Sequence, residues 1–180
     1  MELHNPTPRP IDIDGWTLGD DAGTPVRIQP SSGSLVVPSL GYVVLGRSAD
    51  SDVNGGVSVD WSYGDAFALG SPAGQVIVTW NGSVIDKVVY ALGTTFPEAP
   101  GRSLQLDPAF LDGELNDWSE AWCAAPDSAV LPDGDHGSPG TGNPPCQWNP
   151  TRTREPAPPS RPDVEYVRRL APSDGRDWRR

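Results

Sequence analysis

Residues 1–18, MELHNPTPRPIDIDGWTL, decide the fold class of this chain. Two strand-like runs, Glu2–Asn5 and Ile11–Leu18, are joined by a proline-rich turn. In the second run isoleucines alternate with aspartates, and after Gly15 the apolar positions continue on the opposite parity. One extra residue at a glycine is a common way in which a strand changes the face that it buries. The stretch therefore predicts short β-strands from the first residues onward.

Further strand-like runs follow outward from this stretch. Residues 40–46 are almost continuously apolar, which indicates a central strand buried on both faces. Asn81-Gly82 predicts a two-residue type I′ hairpin turn, in which Trp80 faces Ser83. The same register predicts that Val78 lies opposite Ile85. Runs this short, bounded by turn residues, are typical of an antiparallel sandwich or barrel, and we expect about seven to eight strands and no helix in the body.

Charge divides the chain of 180 residues near residue 150. The first 150 residues hold five basic and 19 acidic residues, net −14, whereas the remainder is net +3. We predict one domain over residues 1–148 and a Pro/Arg-rich tail over residues 149–180 that is too poor in core-forming residues to fold. The acidic body disfavours nucleic acid as a partner, because phosphate backbones bind cationic surfaces. The absence of a long apolar run argues against membrane insertion.

The two cysteines, Cys123 and Cys146, bracket a segment rich in Pro, Gly and Asp. A disulfide that closes a loop of this length stabilises by about 3 kcal/mol. We predict that bridge, with reduced cysteines as one alternative and a zinc site completed by His4 and His136 as another. A disulfide indicates an oxidising compartment, here extracellular or at the cell surface. The sequence begins without a secretion signal, so we expect that its N-terminus is truncated or assigned to the wrong start.

Two acidic loops offer oxygen ligands for calcium, which takes six to eight of them. Asp50, Asp52 and Asn54, followed by a glycine, match the start of an EF-hand loop, but the position of its bidentate glutamate is Trp61. The second loop lacks the turn glycine and the distal glutamate of such a site. Its candidate ligands are Asp112, Glu114, Asn116 and Asp117. We predict solvated loops, keep calcium as an alternative, and expect no cofactor.

No residue set in the sequence amounts to a catalytic site. Nucleophilic catalysis needs a hydroxyl or thiol beside a base that a third group orients, and the two histidines, His4 and His136, lie in unrelated settings. We therefore predict that the protein is not an enzyme. Trp118, Trp122 and Trp148 surround the cysteines. We expect them to pack against the disulfide, with a carbohydrate- or protein-binding face as the alternative.

In order along the sequence, these segments resemble the lamin-tail domain of nuclear lamins and bacterial surface proteins. The residues that carry the resemblance are Glu2–Thr7, Ile11–Leu18, Gly41–Gly46, Val84–Tyr90, Arg102–Pro108, Trp122-Cys123 and Gly137–Pro144. The likeness covers residues 1 to about 146. It implies an immunoglobulin-like antiparallel β-sandwich of the bacterial type, and the coiled-coil heptads of a filament-forming lamin are absent.

Family members usually carry a further strand upstream of the Glu-Leu segment, so the resemblance implies an N-terminally incomplete domain with one exposed sheet edge. Our leading hypothesis is a non-catalytic binding or adhesion module that recognises a protein or carbohydrate surface. The alternatives are a structural domain that self-associates through the exposed edge strand and a domain stabilised by calcium.

Overall fold

The short runs of the sequence become eleven β-strands in the computed structural model, which describes residues 1–20 and 23–147. The strands are β1 (Glu2–His4), β2 (Ile11–Asp12), β3 (Thr17–Gly19), β4 (Val26–Arg27), β5 (Val36–Val37), β6 (Tyr42–Gly46), β7 (Trp61–Ser62), β8 (Ala73–Trp80), β9 (Ser83–Ala91), β10 (Leu104–Leu106) and β11 (Trp122–Ala124). Three single-turn 3₁₀ helices lie between β10 and β11, at Pro108–Phe110, Leu115–Asp117 and Ser119–Ala121. The all-β prediction is confirmed.

The strand count exceeds the expected seven to eight because four of the eleven strands are only two residues long. Residues 1–147 form one compact unit. The tail predicted over residues 149–180, together with Trp148, lies outside the described residues.

The strands form four small sheets within the described part of the molecule. The largest has the order β4-β3-β8-β9, a second has the order β1-β6-β7, and β2-β5 and β10-β11 are two-stranded. Every pairing of these strands is antiparallel except the short parallel pair between β6 and β7. The predicted central strand is β6, which lies between two neighbours and buries Val43, Val44 and Leu45.

One apolar cluster joins these sheets into a sandwich. Its fully or almost fully buried members are Ile13, Leu18, Ile28, Leu35, Val37, Val43, Leu45, Phe67 and Val78. Leu18 and Val78 come from the four-stranded sheet, whereas Leu45 comes from the three-stranded one. Burying a leucine of this kind stabilises the fold by about 1.5–3 kcal/mol, before the entropy of ordering it is subtracted.

Gly15 is where the backbone passes from one sheet to another, whereas the sequence predicts a single strand over Ile11–Leu18 that changes the face it buries. Its φ is +83°, a backbone conformation that side chains other than glycine rarely adopt. The backbone N–H of Ile13 still donates to Leu35 at 2.9 Å, whereas that of Gly15 already donates to Ile28 at 2.8 Å. A Cβ at this position would lie 2.8 Å from the Arg27 guanidinium. Glycine is therefore favoured by conformation, since the Arg27 side chain could move away from a Cβ.

The Asn81-Gly82 turn closes the β8–β9 hairpin as predicted. Both residues have positive φ, +49° and +79°, which is the signature of a type I′ turn. Trp80 pairs with Ser83 as expected, and one step further Thr79 pairs with Val84.

Beyond that pair the predicted register is wrong, because Val78 lies opposite Asp86 rather than Ile85. A β-bulge inserts one extra residue on β9 between these positions. Ile85 packs against the apolar cluster, and because of the bulge the rest of β9 stays paired with β8.

The side chain of Asn5 organises the turn in the Glu-Leu-His-Asn-Pro-Thr segment. The side chain is almost fully buried, and its amide nitrogen donates to the carbonyls of Arg9, Val37 and Pro38 at 2.7–3.2 Å. Its carbonyl oxygen accepts from the backbone N–H and the hydroxyl of Thr7. One buried amide thus closes the turn after β1 and ties it to the end of β5.

Candidate functional site

The first candidate surface is the outward-facing side of the four-stranded sheet, the largest of the described sheets. Leu18, Val76 and Val78 face the core, and side chains alternate along a strand. Their neighbours in sequence therefore face outward, and the cross-strand pairs extend that face over all four strands. We call this surface the outer face; it consists of Thr17, Arg27, Gln75, Ile77, Thr79, Val84, Lys87 and Val89.

Apolar side chains are prominent on the outer face. Val84 is 60% exposed and Val89 is 55% exposed, and both lie on β9. Ile77 lies between them on β8, opposite Lys87. An exposed apolar strip on an ordered sheet is a feature of surfaces that bind other macromolecules.

The charge of the outer face is opposite to that of the body as a whole. Its outward positions carry two cations, Arg27 and Lys87, although the first 150 residues contain 19 acids and five bases. The charge of Lys87 also acts on the nearby Asp117 carboxylate. The acid of β9, Asp86, lies opposite the core residue Val78 and bonds to Asn116. A surface that is cationic in an acidic body selects for negatively charged partners and orients them on approach.

Cross-strand contacts between side chains join the strands of the outer face. The hydroxyls of Thr17 and Thr79 hydrogen bond across β3 and β8 at 2.5 Å. Such pairs contribute roughly 0.2–1 kcal/mol each and fix the spacing between strands. The residues of this face are therefore presented by strands rather than by loops, which lowers the entropy lost on binding.

The second candidate surface is the free edge of β1. The carbonyl of Met1 accepts from Leu45, and the N–H of Asn5 donates to Gly41, so odd-numbered residues bond to β6. In an antiparallel pair the backbone groups of the alternate residues, Glu2 and His4, then point away from the partner. Among the described strands β6 is the one neighbour of β1.

Burial perturbs both titratable side chains of β1. It raises the pKa of the Glu2 carboxyl, against an opposing hydrogen bond from the backbone N–H of Gly140 at 2.5 Å. It lowers the pKa of the His4 imidazole, against an opposing hydrogen bond to the backbone of Leu40. The His4 ring lies 4.6 Å from that of Tyr42.

The predicted calcium ligands of the first acidic loop form hydrogen bonds within the loop. Asp50 accepts from the backbone N–H of Asp52 at 3.0 Å, which closes a turn. Asn54 donates to the carbonyls of Ser48 and Val57 and accepts from the N–H of Val57. Within residues 1–20 and 23–147, no three His, Cys, Asp or Glu side chains are grouped so that they could hold a metal ion. Calcium binding stays the alternative to the predicted solvated loops.

The second acidic loop is tied to β9 through one of its candidate ligands. Asn116 is only 8% exposed, and its amide nitrogen donates to the Asp86 carboxylate at 2.8 Å. Asp112 caps the following turn by accepting from the backbone N–H groups of Glu114 and Leu115. Burial raises the pKa of the partly buried Asp117, while the charge of Lys87 opposes that shift. The Asp86–Asn116 contact joins positions 30 apart, so no local pattern could have predicted it.

The remaining residues singled out in the sequence, Trp122, Trp118 and His136, each have separate contacts. Trp122 donates its indole N–H to the carbonyl of Asn116 at 2.7 Å and packs against Phe96, with ring centroids 6.1 Å apart. Trp118 is half-buried, in the loop before β11. The backbone N–H of His136 donates to Gly101, while its ring Nδ1 is buried without a partner among the described residues.

Cys123 and Cys146 form the predicted disulfide, with an S–S distance of 2.05 Å. The segment before Cys146 crosses the outside of β1 and β6, where Gly140 donates to Glu2. Gln105 and Asn143 hold the same segment to β10 by hydrogen bonds to Pro144 and Leu106. The bridge thus fastens residues 138–146, which we call the strap, to the sandwich.

No helix in the described ranges has both the length and the apolar character needed to cross a membrane. No protein-family model matches the sequence, and no curated protein or solved structure matches it either. The likeness to lamin-tail domains is therefore a prediction that rests on the quoted residues alone.

Proposed function

We propose that this protein is a non-catalytic binding or adhesion module of an extracellular or cell-surface protein, built on an immunoglobulin-like sandwich of the lamin-tail type. The proposal depends most on one observation, the exposed valines of the outer face, Val84 and Val89, on a regular sheet. The disulfide supports an oxidising location.

The chemistry of the outer face favours a protein partner that presents apolar side chains together with carboxylates. Ile77, Val84 and Val89 supply apolar area, and Arg27 and Lys87 supply positive charge beside it. Buried apolar area stabilises a complex, whereas complementary charge raises the association rate and excludes wrong partners. The net charge of −14 over the first 150 residues repels a phosphate backbone, so a protein fits better than a nucleic acid.

The test measures binding of the fluorescently labelled protein to whole cells of the organism that encodes it. Replacing Val84 and Val89 by glutamate removes the apolar strip and places charge on it. The matched control replaces Val53 and Val130, which are 71% and 62% exposed, by the same residue, so both variants have equal net charge.

We expect saturable binding that protease treatment of the cells abolishes, that the outer-face variant loses, and that the control variant keeps. Equal melting temperatures of the two variants establish that both are folded. Binding that survives in the outer-face variant, or an absence of binding by the wild-type protein, would overturn the proposal. Binding lost after glycosidase but not protease treatment would point to carbohydrate and would also overturn it.

A second candidate function, self-association through β1, is favoured by the outward backbone groups of Glu2 and His4. If two copies pair antiparallel about a two-fold axis at Leu3, Glu2 of each copy faces His4 of the other. The outward backbone groups of Glu2 and His4 then form the hydrogen-bonded pairs that this register requires. Each backbone hydrogen bond formed across such an edge contributes about 0.5–1.5 kcal/mol net.

The discriminating measurement is sedimentation of the protein over a range of concentrations. We expect a dimer that His4→Glu weakens, because like charges then face each other, and that the double variant Glu2→Lys, His4→Glu restores. A wild-type protein that is monomeric up to its solubility limit contradicts edge pairing, as does a double variant that is no better than the single one.

A further inference from the structure

We propose that Asn81 is a site of spontaneous deamidation, a covalent modification that uses water and no enzyme. Asn81 and Gly82 are exposed at the tip of the β8–β9 hairpin. No described residue hydrogen bonds to the Asn81 side-chain amide, and no atom lies within 4 Å of the place where a Cβ of residue 82 would be. The amide carbon and the backbone nitrogen that attacks it are therefore both accessible.

The reaction needs only these two residues and water. The backbone nitrogen of Gly82 attacks Cγ of Asn81 and loses its proton, and the bond between Cγ and Nδ2 of Asn81 breaks with release of ammonia. The product is a five-membered succinimide. Water then opens the ring at either carbonyl, which gives aspartate or isoaspartate, so the net change is one water consumed and one ammonia released.

A second Asn-Gly pair, Asn54-Gly55, serves as an internal control. The Asn54 amide is fixed by hydrogen bonds to Ser48 and Val57 at 2.9–3.0 Å, which use both its nitrogen and its oxygen. The position of a Cβ on Gly55 is occupied by the Asp133 carboxylate. Ring closure at Asn54 would require breaking three hydrogen bonds and moving that carboxylate, whereas ring closure at Asn81 breaks no such contact.

The β-bulge makes local opening of the Asn81 turn easier. Only the pairs Trp80–Ser83 and Thr79–Val84 connect the turn to the bulge, where the register shifts. Short paired segments at the end of a ladder open at far lower free energy than the whole domain unfolds. Opening is needed because the positive φ of Asn81 holds the backbone in the turn conformation.

The products change the outer face, because Thr79 and Val84 adjoin the turn. Aspartate keeps the turn but adds a negative charge, and isoaspartate adds a backbone carbon to a turn that accommodates two residues. If the proposed function is correct, both products weaken binding of an acidic partner. The modification itself does not depend on that function.

The experiment incubates the full-length folded protein at mildly alkaline pH and physiological temperature and follows both Asn-Gly sites by peptide mass spectrometry. We expect a mass gain of about 1 Da and two isomeric products at Asn81, at a rate roughly tenfold or more above that at Asn54. In denaturant the two sites should react at similar rates, since each is then an open Asn-Gly sequence.

Two results would overturn the proposal. One is modification of Asn54 in the folded protein that is as fast as modification of Asn81, since the contacts of Asn54 would then make no difference. The other is an Asn81 rate in the folded protein that is as slow as that of Asn54 while the denatured protein reacts readily. The variant Asn81→Gln, which lengthens the side chain, should abolish the fast mass gain, whereas Asn54→Gln should leave it unchanged.

Discussion

Residues 1–91 and residues 92–147 form one sandwich but are stabilised by different interactions. The whole apolar cluster, from Ile13 to Val78, lies in the first region. The second region holds three of the four buried polar side chains, Gln105, Asp107 and Asn116, and the disulfide. The first region is thus packed mainly by its apolar cluster, whereas the second, which buries Phe96, Leu106, Ala121 and Ala125, adds polar contacts and a covalent bond.

The polar contacts of the second region converge on the strap. The amide of Gln105 donates to Pro144 at 2.7 Å, that of Asn143 donates to Leu106 at 3.0 Å, and the Asp107 carboxylate accepts from the N–H of Cys146 at 2.8 Å. Each such bond contributes about 0.5–1.5 kcal/mol net, so together they are comparable to the disulfide. The comparison indicates that a segment rich in Pro and Gly can be ordered without a core of its own.

Among the variants that test this difference between the two regions, Leu18→Ala should cause the largest loss of folding stability. Leu18 is fully buried in the cluster, and such a truncation costs about 2–5 kcal/mol through lost transfer energy and the cavity left behind. We expect denaturant unfolding to shift accordingly with an unchanged slope. Leu69→Ala, at a residue that is 46% exposed, is the control and should change stability by much less. Similar losses in the two variants would mean that the apolar cluster does not dominate the first region.

Replacing both cysteines by serine should have the next largest effect, about 3 kcal/mol in the chain-entropy account. Hydrogen exchange makes the prediction specific to the second region. The N–H groups of Gly140 and Cys146 should lose protection, while that of Leu45, which bonds to Met1 in the first region, should keep it.

Reduction of the wild-type protein should reproduce the exchange pattern of the double serine variant, and reductant should leave that variant unchanged. If Leu45 lost protection together with Cys146, the two regions would unfold as one unit and the distinction between them would fail.

The parts of the fold that could be predicted from sequence are those set by local chemistry. The Asn81-Gly82 turn and the apolar β6 each follow from residues within a few positions of one another. Gly15 was also marked by its local pattern, although a change of face was expected there rather than a change of sheet. The pairing of Cys123 with Cys146 was within reach because the sequence has no other cysteines.

Contacts between distant residues could not be predicted in this way. The register beyond Thr79 depends on Ile85 reaching the apolar cluster and on Asp86 reaching Asn116, which is 30 residues away. A one-residue shift reverses which side chains face outward, so an outer face drawn from the simple hairpin register would have included the wrong residues of β9. The bulge is therefore also the reason why the candidate site was not identified from sequence.

Asp86 offers the smallest and most specific test, since it joins the two regions. Burial raises the pKa of its carboxyl, and the charges of Asp112 and Asp117 act in the same direction, against hydrogen bonds from Asn116 and the backbone of Lys87. A raised carboxyl pKa means that the folded protein holds this proton at pH values where the unfolded protein has lost it. The contribution to stability is thus fully present below the ordinary carboxyl pKa and is lost as pH rises through the folded value.

Asp86→Asn removes that dependence and keeps the shape of the side chain. The oxygen of the new amide can still accept from the N–H of Lys87, while its nitrogen takes the place of the oxygen that accepts from Asn116. That nitrogen can donate to the Asn116 side-chain oxygen, which is buried without a partner among the described residues, once the Asn116 amide has turned over. We expect the variant to be as stable as the wild type or up to about 1 kcal/mol more stable at neutral pH, with the difference vanishing in acid. Thermal unfolding across pH 4–7 measures it, with Asp65→Asn, at an exposed carboxylate paired with Arg47, as the control. A variant that is less stable than wild type at neutral pH would show that the negative charge of Asp86 helps to hold the second region on the first.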